Sequence, residues 1–400
     1  MQFRIPLNTN SLGIEEISAA KAVLDSGQLT MGPKCREFER AFADYLGVEH
    51  AIMVNSGSSA NLLGLFALAN PLLKVMGRKR RLTPQSEVIV PALTWSTTIW
   101  PVVQAGAKPV FVDCDPRSLQ MSPRDIEAAI TPNTVAVAIV HVLGGAANAS
   151  AIAEIAREHG LWLFEDTCEA LGVLWEGRQV GTFGDMASFS FYFSHHITTI
   201  EGGMVVTNDA YLADLLRALR AHGWTRQMTS PREFIAESVA DLDPRFLFVT
   251  TGFNVRPTEI NAAIGLGQLK RLDGFNAARR TVAERLDRGL AALAQAGHID
   301  LVHHDPRSIP APFGYTVLCR TTGDRNGLRD HLESSGVETR PVICGNMVRQ
   351  PAIAHIEHRV SGVLDGADRV MDCGLYWGTH PSMTDDDVDF IVGAVKAYYQ

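Results

Sequence analysis

Lysine is scarce in this chain. Seven occur in 400 residues (Lys21, Lys34, Lys74, Lys79, Lys108, Lys270 and Lys396), and none lies between positions 108 and 270. Chemistry that needs an amine nucleophile in that central stretch has no side chain to supply it. Clustered basic charge is missing as well. The run from Arg78 to Arg81 is short and isolated, and the formal net charge is -8, so no stripe is available to track nucleic-acid phosphates and nucleic acid is not an expected partner. The six cysteines (Cys35, Cys114, Cys168, Cys319, Cys344, Cys373) lie far apart with no C-x-x-C pair. That spacing argues against a zinc or other metal site, an iron-sulfur cluster and a disulfide framework. No apolar run approaches the roughly 20 residues that span a bilayer. The opening MQFRIPLNTNSLG lacks a basic segment followed by an apolar stretch and a small-residue cleavage site. No membrane association is expected, and a cytoplasmic location is.

What the chain does have is length and regular alternation. Four hundred residues exceed what one hydrophobic core usually serves, which predicts a large domain with a smaller one attached. Short β-branched runs alternate with helical patterns: EVIVPA at 87–92, PVFVD at 109–113, VAVAIVHVLG at 135–144 and LWLFED at 161–166. This predicts an α/β fold with a largely parallel sheet covered by helices on both faces, whose ligands bind at the carboxyl ends of the strands. Residues 11–26 have helical apolar spacing. From about residue 275 the pattern returns to helix with a few strands, so the expected division is a large domain over 1–270, including the N-terminal helical segment, and a small C-terminal α/β domain over 271–400. The polar stretch from Arg226 to Arg245 reads as a long loop that could cover a site.

Three segments carry candidate chemistry. In VNSGSSANLL at 54–63 a Ser/Gly cluster opens a helical pattern; free N-H groups at a helix start attract a phosphate, although an ordinary capping turn has the same appearance. In LWLFEDTCEALG, Asp166 ends an apolar strand and should sit at the mouth of the sheet. A carboxylate there pairs with a protonated ring nitrogen and keeps a pyridine cofactor electron-poor, or it simply caps the next helix. In SFSFYFSHHITTIEGGMVVTND at 188–209, adjacent histidines sit between an aromatic strand and a Gly pair. Paired histidines are more often packing or hydrogen-bonding residues than catalysts.

Read in order, with GQLTMGPKCREFERAFADYLG at 27–47, PALTWSTT and GFNVRPTEINAAIGLGQL at 252–269, these motifs resemble the DegT/DnrJ/EryC1/StrS sugar aminotransferases over nearly the whole chain. The resemblance implies the type I pyridoxal-phosphate-dependent aminotransferase fold. It also implies roles for individual residues. Asp166 contacts the pyridine nitrogen, Trp95 stacks on the ring, and Glu169 orients ring substituents. Gly57, Ser58 and Ser190 hold the phosphate, joined by Asn254 from a neighbouring subunit, so a homodimer is expected. His222 and Arg226 in AHGWTR, and Arg340 in RPVICGN, are candidate substrate contacts.

The family pattern places a cofactor-binding lysine before N-I-T-x-x-E-G-G, and this chain has His195 there, followed by His196. An imidazole is a base near neutral pH but lacks the primary amine. The exchange resembles the sugar 3-dehydratase branch of the family. It implies pyridoxal or pyridoxamine 5'-phosphate as cofactor, His195 as the catalytic base and L-glutamate as amino donor. The implied substrate is a nucleotide-linked 4-keto-6-deoxyhexose, GDP-4-keto-6-deoxymannose foremost, with CDP, dTDP and UDP sugars open. A related branch acts on CDP-linked sugars with an iron-sulfur cluster, which the cysteine spacing does not support. The rival readings are a working nucleotide-sugar aminotransferase and a non-catalytic ligand sensor of the same fold.

Overall fold

The β-branched and aromatic runs of the first 210 residues form the strands of one large sheet, to which a late segment adds an edge. In the computed structural model, which describes residues 3–75, 77–235 and 242–400, these strands are β1 (His50–Val54), β2 (Glu87–Pro91), β3 (Lys108–Val112), β4 (Thr134–Val140), β5 (Trp162–Asp166), β6 (Met186–Ser190), β7 (Gly203–Thr207) and β8 (Arg359–Val360). Their spatial order is β1-β7-β6-β5-β4-β2-β3-β8. Pairing is parallel from β6 through β5, β4, β2 and β3 to β8, while β7 runs antiparallel to both β1 and β6. Every residue of β2, β4, β5 and β6 is buried, as a sheet covered on both faces requires. The alternating runs thus match strands to within a few residues, whereas β7, reached from β6 through the twelve residues 191–202 that hold the histidine turn and no helix, runs antiparallel.

Helices fill both faces. The helix Gly57–Ala69 lies on one of them, and at Gly64 a Cβ would fall 2.2 Å from the Phe164 ring; the missing side chain lets the helix settle against β5. The N-terminal helix runs Ile14–Ser26, starting three residues later than its apolar spacing suggests, with Glu16 bonding back to the N-H of Gly13.

A second, antiparallel sheet has the order Ile299–Leu301, Gly314–Cys319, Gly374–Gly378, Thr339–Arg340. Its core combines Val282, Leu286 and Leu290 of the helix Leu272–Gln295 with Val317, Leu375, Trp377 and Ile391. The chain crosses the division after residue 270 in several places: Ile5 is buried in this second core, Ser308–Ile309 pairs with Leu174–Trp175, and β8 returns to the edge of the large sheet. Of the stretch 226–245, residues 236–241 lie outside the described residues; the rest carries 3₁₀ turns at Thr225–Gln227, Pro231–Phe234 and Pro244–Phe246. Among the described residues no helix is long and apolar enough to cross a membrane.

Candidate active site

The carboxyl ends of β4, β5 and β6 open into a cavity of about 410 Å³. Asp166, the last residue of β5, is 5% exposed and points into it. Its Oδ2 accepts from Asn61 Nδ2 at 2.8 Å and Thr98 Oγ1 at 2.7 Å, and its Oδ1 accepts from the Cys168 N-H at 3.2 Å. Three donors hold the carboxylate in one orientation. Trp95 stands at the N-terminal end of the helix Ser96–Gln104 with 55% of its surface exposed. A flat indole left open at a cavity wall is suited to stacking on an aromatic ligand.

Opposite, the helix Gly57–Ala69 begins at the cavity rim. Ser56 caps it by accepting from the Ser59 N-H at 3.1 Å, which leaves the first free N-H groups at Gly57 and Ser58. Ser190 ends β6 directly beside them: a Cβ on Gly57 would lie 2.5 Å from the Ser190 Cβ and 3.0 Å from Cys168 Sγ. The missing side chain lets Ser190 pack against the helix start, so its hydroxyl and the free N-H groups of Gly57 and Ser58 border the cavity together at a positive helix end suited to an anion.

His195 closes the cavity from the turn after β6. Its N-H donates to the Tyr192 carbonyl at 2.9 Å, and its ring meets those of Tyr192 and Phe313 edge-on, with centroids 5.9 Å and 5.2 Å away. Nδ1 is buried and, among the described residues, has no hydrogen-bond partner. Loss of hydration, and then the nearby Arg279 guanidinium, push its pKa down to about 3, so the ring is neutral at ordinary pH and can accept a proton. Glu169 lies on the same wall with Oε2 accepting the Leu143 N-H at 3.1 Å; burial pushes its carboxyl up to about 7.

The structure therefore brings Gly57, Ser58, Trp95, Asp166, Glu169, Ser190 and His195 around one cavity. It does not bring the other four. Asn254 is exposed and accepts from Arg256 Nε at 2.9 Å, and His222 beside it is exposed with φ 65°. Arg226 lies over the Trp224 ring at 5.1 Å, and Arg340 bonds Glu338 at 2.7 Å. None of these lines the cavity of its own chain. Several lining residues escape sequence reasoning. Thr98 sits inside the quoted PALTWSTT run, but Phe313, Ile343 and Tyr376 come from the C-terminal third with no local signal. A wider groove of about 680 Å³ near Arg78 and Asp185 holds none of these groups.

The donor set fits a phosphorylated pyridine: free N-H groups beside a serine hydroxyl at a helix start, a fixed carboxylate for a ring nitrogen, an open indole, and an unpartnered buried imidazole nitrogen. Known proteins agree with this shape. The chain is 34% identical to the GDP-4-keto-6-deoxy-D-mannose 3-dehydratase of Escherichia coli O55:H7, over 98% of this chain and 99% of that protein. It is 36% identical to the dTDP-4-dehydro-2,6-dideoxy-D-glucose 3-dehydratase of Saccharopolyspora spinosa, over 96% of this chain and 84% of that protein. The solved structure of a GDP-4-keto-6-deoxymannose 3-dehydratase with a trapped PLP-glutamate geminal diamine superposes with a TM-score of 0.89 at 33% identity, covering 98% of this chain and all of that one. The model of the DegT/DnrJ/EryC1/StrS aminotransferase family matches residues 10–396, and the chain belongs to that family.

Proposed function

We propose that this protein is a pyridoxamine-phosphate-dependent 3-dehydratase of a nucleotide-linked 4-keto-6-deoxyhexose, with GDP-4-keto-6-deoxymannose as first substrate and L-glutamate as the amine source. The observation that carries the reading is His195: a neutral imidazole faces the cavity at the position where family aminotransferases hold lysine, and no lysine lines the cavity to replace it. When bound, the cofactor supplies an amine that condenses with the C4 ketone and a ring that accepts electrons.

The chain's residues divide the remaining work. Asp166 holds a proton on the ring nitrogen, and Trp95 covers one ring face. Gly57, Ser58 and Ser190 bind the phosphate at the helix start, with Asn254 of a second subunit reaching the same group, so the working unit is a homodimer. Glu169 orients the ring substituents. His195 takes a proton from the carbon bearing the amine and returns it to the C3 oxygen, which leaves as water. The sugar keeps its C4 ketone and loses the C3 hydroxyl, ammonia is released, and glutamate becomes 2-oxoglutarate, which balances the two electrons gained at C3. His222, Arg226 and Arg340 are assigned to the substrate side, and the reaction is placed in the cytoplasm.

The test is incubation with pyridoxamine phosphate, glutamate and GDP-4-keto-6-deoxymannose, in parallel with a dTDP-linked 4-keto sugar, following 2-oxoglutarate, ammonia and sugar mass. Loss of the C3 oxygen with the ketone retained supports the reading, and the preferred nucleotide emerges from the two arms. A stable amino sugar restores the aminotransferase; binding without turnover supports a sensor.

A further inference from the structure

Arg279 is 3% exposed, in the middle of the helix Leu272–Gln295. Among the described residues it has no ion pair with a carboxylate, and burial alone pushes its pKa down to about 10. Its Nη1 makes long contacts with the Pro312 carbonyl (3.5 Å) and the Phe313 carbonyl (3.4 Å), and its Nε has no partner. The other deeply buried arginine, Arg220, is built differently: it bonds Glu39 at 2.6 Å and the Met53 carbonyl at 2.7 Å. A guanidinium withdrawn from water without a counter-charge is costly, and its surroundings show what it acts on.

The segment Ala311–Phe313 lies between Arg279 and the cavity. His196 Nε2 donates to the Ala311 carbonyl at 2.8 Å, and Thr379 donates to the Pro312 carbonyl at 2.7 Å. The Ala311 and Phe313 N-H groups donate to the Gly144 and Leu143 carbonyls at 3.0 and 3.1 Å. Phe313 sets its ring against both His195 and His196, at 5.2 and 5.8 Å. Arg279 thus lies against the backbone whose side chain packs on the imidazole, and it adds a positive charge without a carboxylate partner among the described residues behind that segment.

We propose that Arg279 is a positioning residue for His195: through the Ala311–Phe313 segment it sets the ring's orientation, with its own unneutralised charge held behind that segment. The inference rests on the dehydratase reading for its catalytic meaning. Once His195 has taken the carbon proton, the same charge makes the imidazolium a strong acid, which suits the next requirement, protonating a hydroxyl that must leave as water. One fixed charge therefore serves both halves of the transfer. The other ionisable groups facing His195 are His196 behind it, Asp166, Cys168 and Glu169 from the β5 side, Glu201 and Tyr192 from its own turn, and Tyr376 from the second sheet. Burial and Arg279 together hold the His195 titration down, so removing Arg279 should raise it by that residue's share.

The test labels histidine with carbon-13 in the full-length protein, loaded with pyridoxamine phosphate and also free of it, and follows the ring signal absent from His195→Asn as pH is varied. The parent should titrate well below an ordinary histidine. Arg279→Met should raise the titration by about one unit or more, and Arg279→Lys should restore the low value. The acid limb of kcat/KM should move with it. An ordinary titration in the parent, or an unchanged one in Arg279→Met, overturns the proposal. If Arg279→Met does not fold, Arg279→Gln takes its place, and the parent's own titration remains decisive. The ring signal needs no turnover: a shift in Arg279→Met with no dehydration would sink the functional reading while leaving this one standing.

Discussion

Leu143 donates its N-H to Glu169 Oε2 at 3.1 Å from a left-handed backbone conformation, φ 48°. A non-glycine residue accepts that conformation only where its surroundings over-determine it, and here the neighbouring Phe313 N-H bonds the Leu143 carbonyl. The single donor does not offset the burial of Glu169, whose pKa stands above its ordinary value at about 7. Between about pH 4.5 and 7 the folded chain holds a proton there that the unfolded chain releases, so this group lowers stability as pH rises through that window. Glu169→Gln removes the effect. Its melting temperature should gain on the parent more at pH 8 than at pH 5; an equal difference at both would count against a protonated Glu169.

The histidines act in the opposite sense. Burial, with Arg279 second, pushes His195 and His196 down to about 3 and His380 to about 4. Each is neutral when folded and takes up a proton when unfolded, so stability is lost as pH falls below the ordinary histidine value. Three such groups outweigh one glutamate. The urea midpoint should drop steadily from pH 7 to pH 4.5, and His196→Asn should flatten that slope; a midpoint independent of pH would show that these rings titrate normally.

His195→Asn should lower turnover by about 10²–10⁴-fold, the usual worth of a positioned acid-base group. Its melting temperature and cofactor affinity should change little, because the ring makes no side-chain hydrogen bond at Nδ1. Mass analysis of the sugar after long incubation measures this directly.

Gly57→Ala should fail at the cofactor. The new methyl group would sit 2.5 Å from the Ser190 Cβ, well inside contact distance, so either β6 shifts or the helix start withdraws. Phosphate binding, followed by cofactor absorbance, should weaken far more than after Trp95→Ala. The exposed indole contributes stacking of about 0.5–1.5 kcal/mol, or roughly a tenfold loss at most.

Mixing tests the shared site. If Asn254 serves a partner's phosphate, inactive His195→Asn and weakened Asn254→Ala chains, unfolded and refolded together at equal amounts, form mixed dimers with one intact site. Random pairing of a two-fold dimer recovers about a quarter of parental activity. No gain over the separate variants would keep Asn254 within its own chain.

Much of this molecule was legible in its sequence because the signals are local. Val, Ile and Phe runs that alternate with helices give buried parallel strands, so β2, β4 and β5 fall where EVIVPA, VAVAIV and LWLFED stand. Asp166 and Gly57 were readable because the end of a strand and the start of a helix are themselves chemical positions. Asn61 and Thr98, which fix Asp166, were not: whether two donors converge on one oxygen depends on how the helices Gly57–Ala69 and Ser96–Gln104 lean on the sheet.

By itself the sequence marked His195 as the candidate base, since no lysine exists between residues 108 and 270 and His195 stands in the family's lysine position. Only the tertiary structure decided what surrounds that ring. Phe313, whose ring meets that of His195, and Arg279, which lies against the Phe313 carbonyl, are far along the chain from His195 and come near it only through the packing of the Leu272–Gln295 helix and the second sheet. A side chain's identity is written locally, whereas its hydration and the charges around it are set by whatever packing brings near.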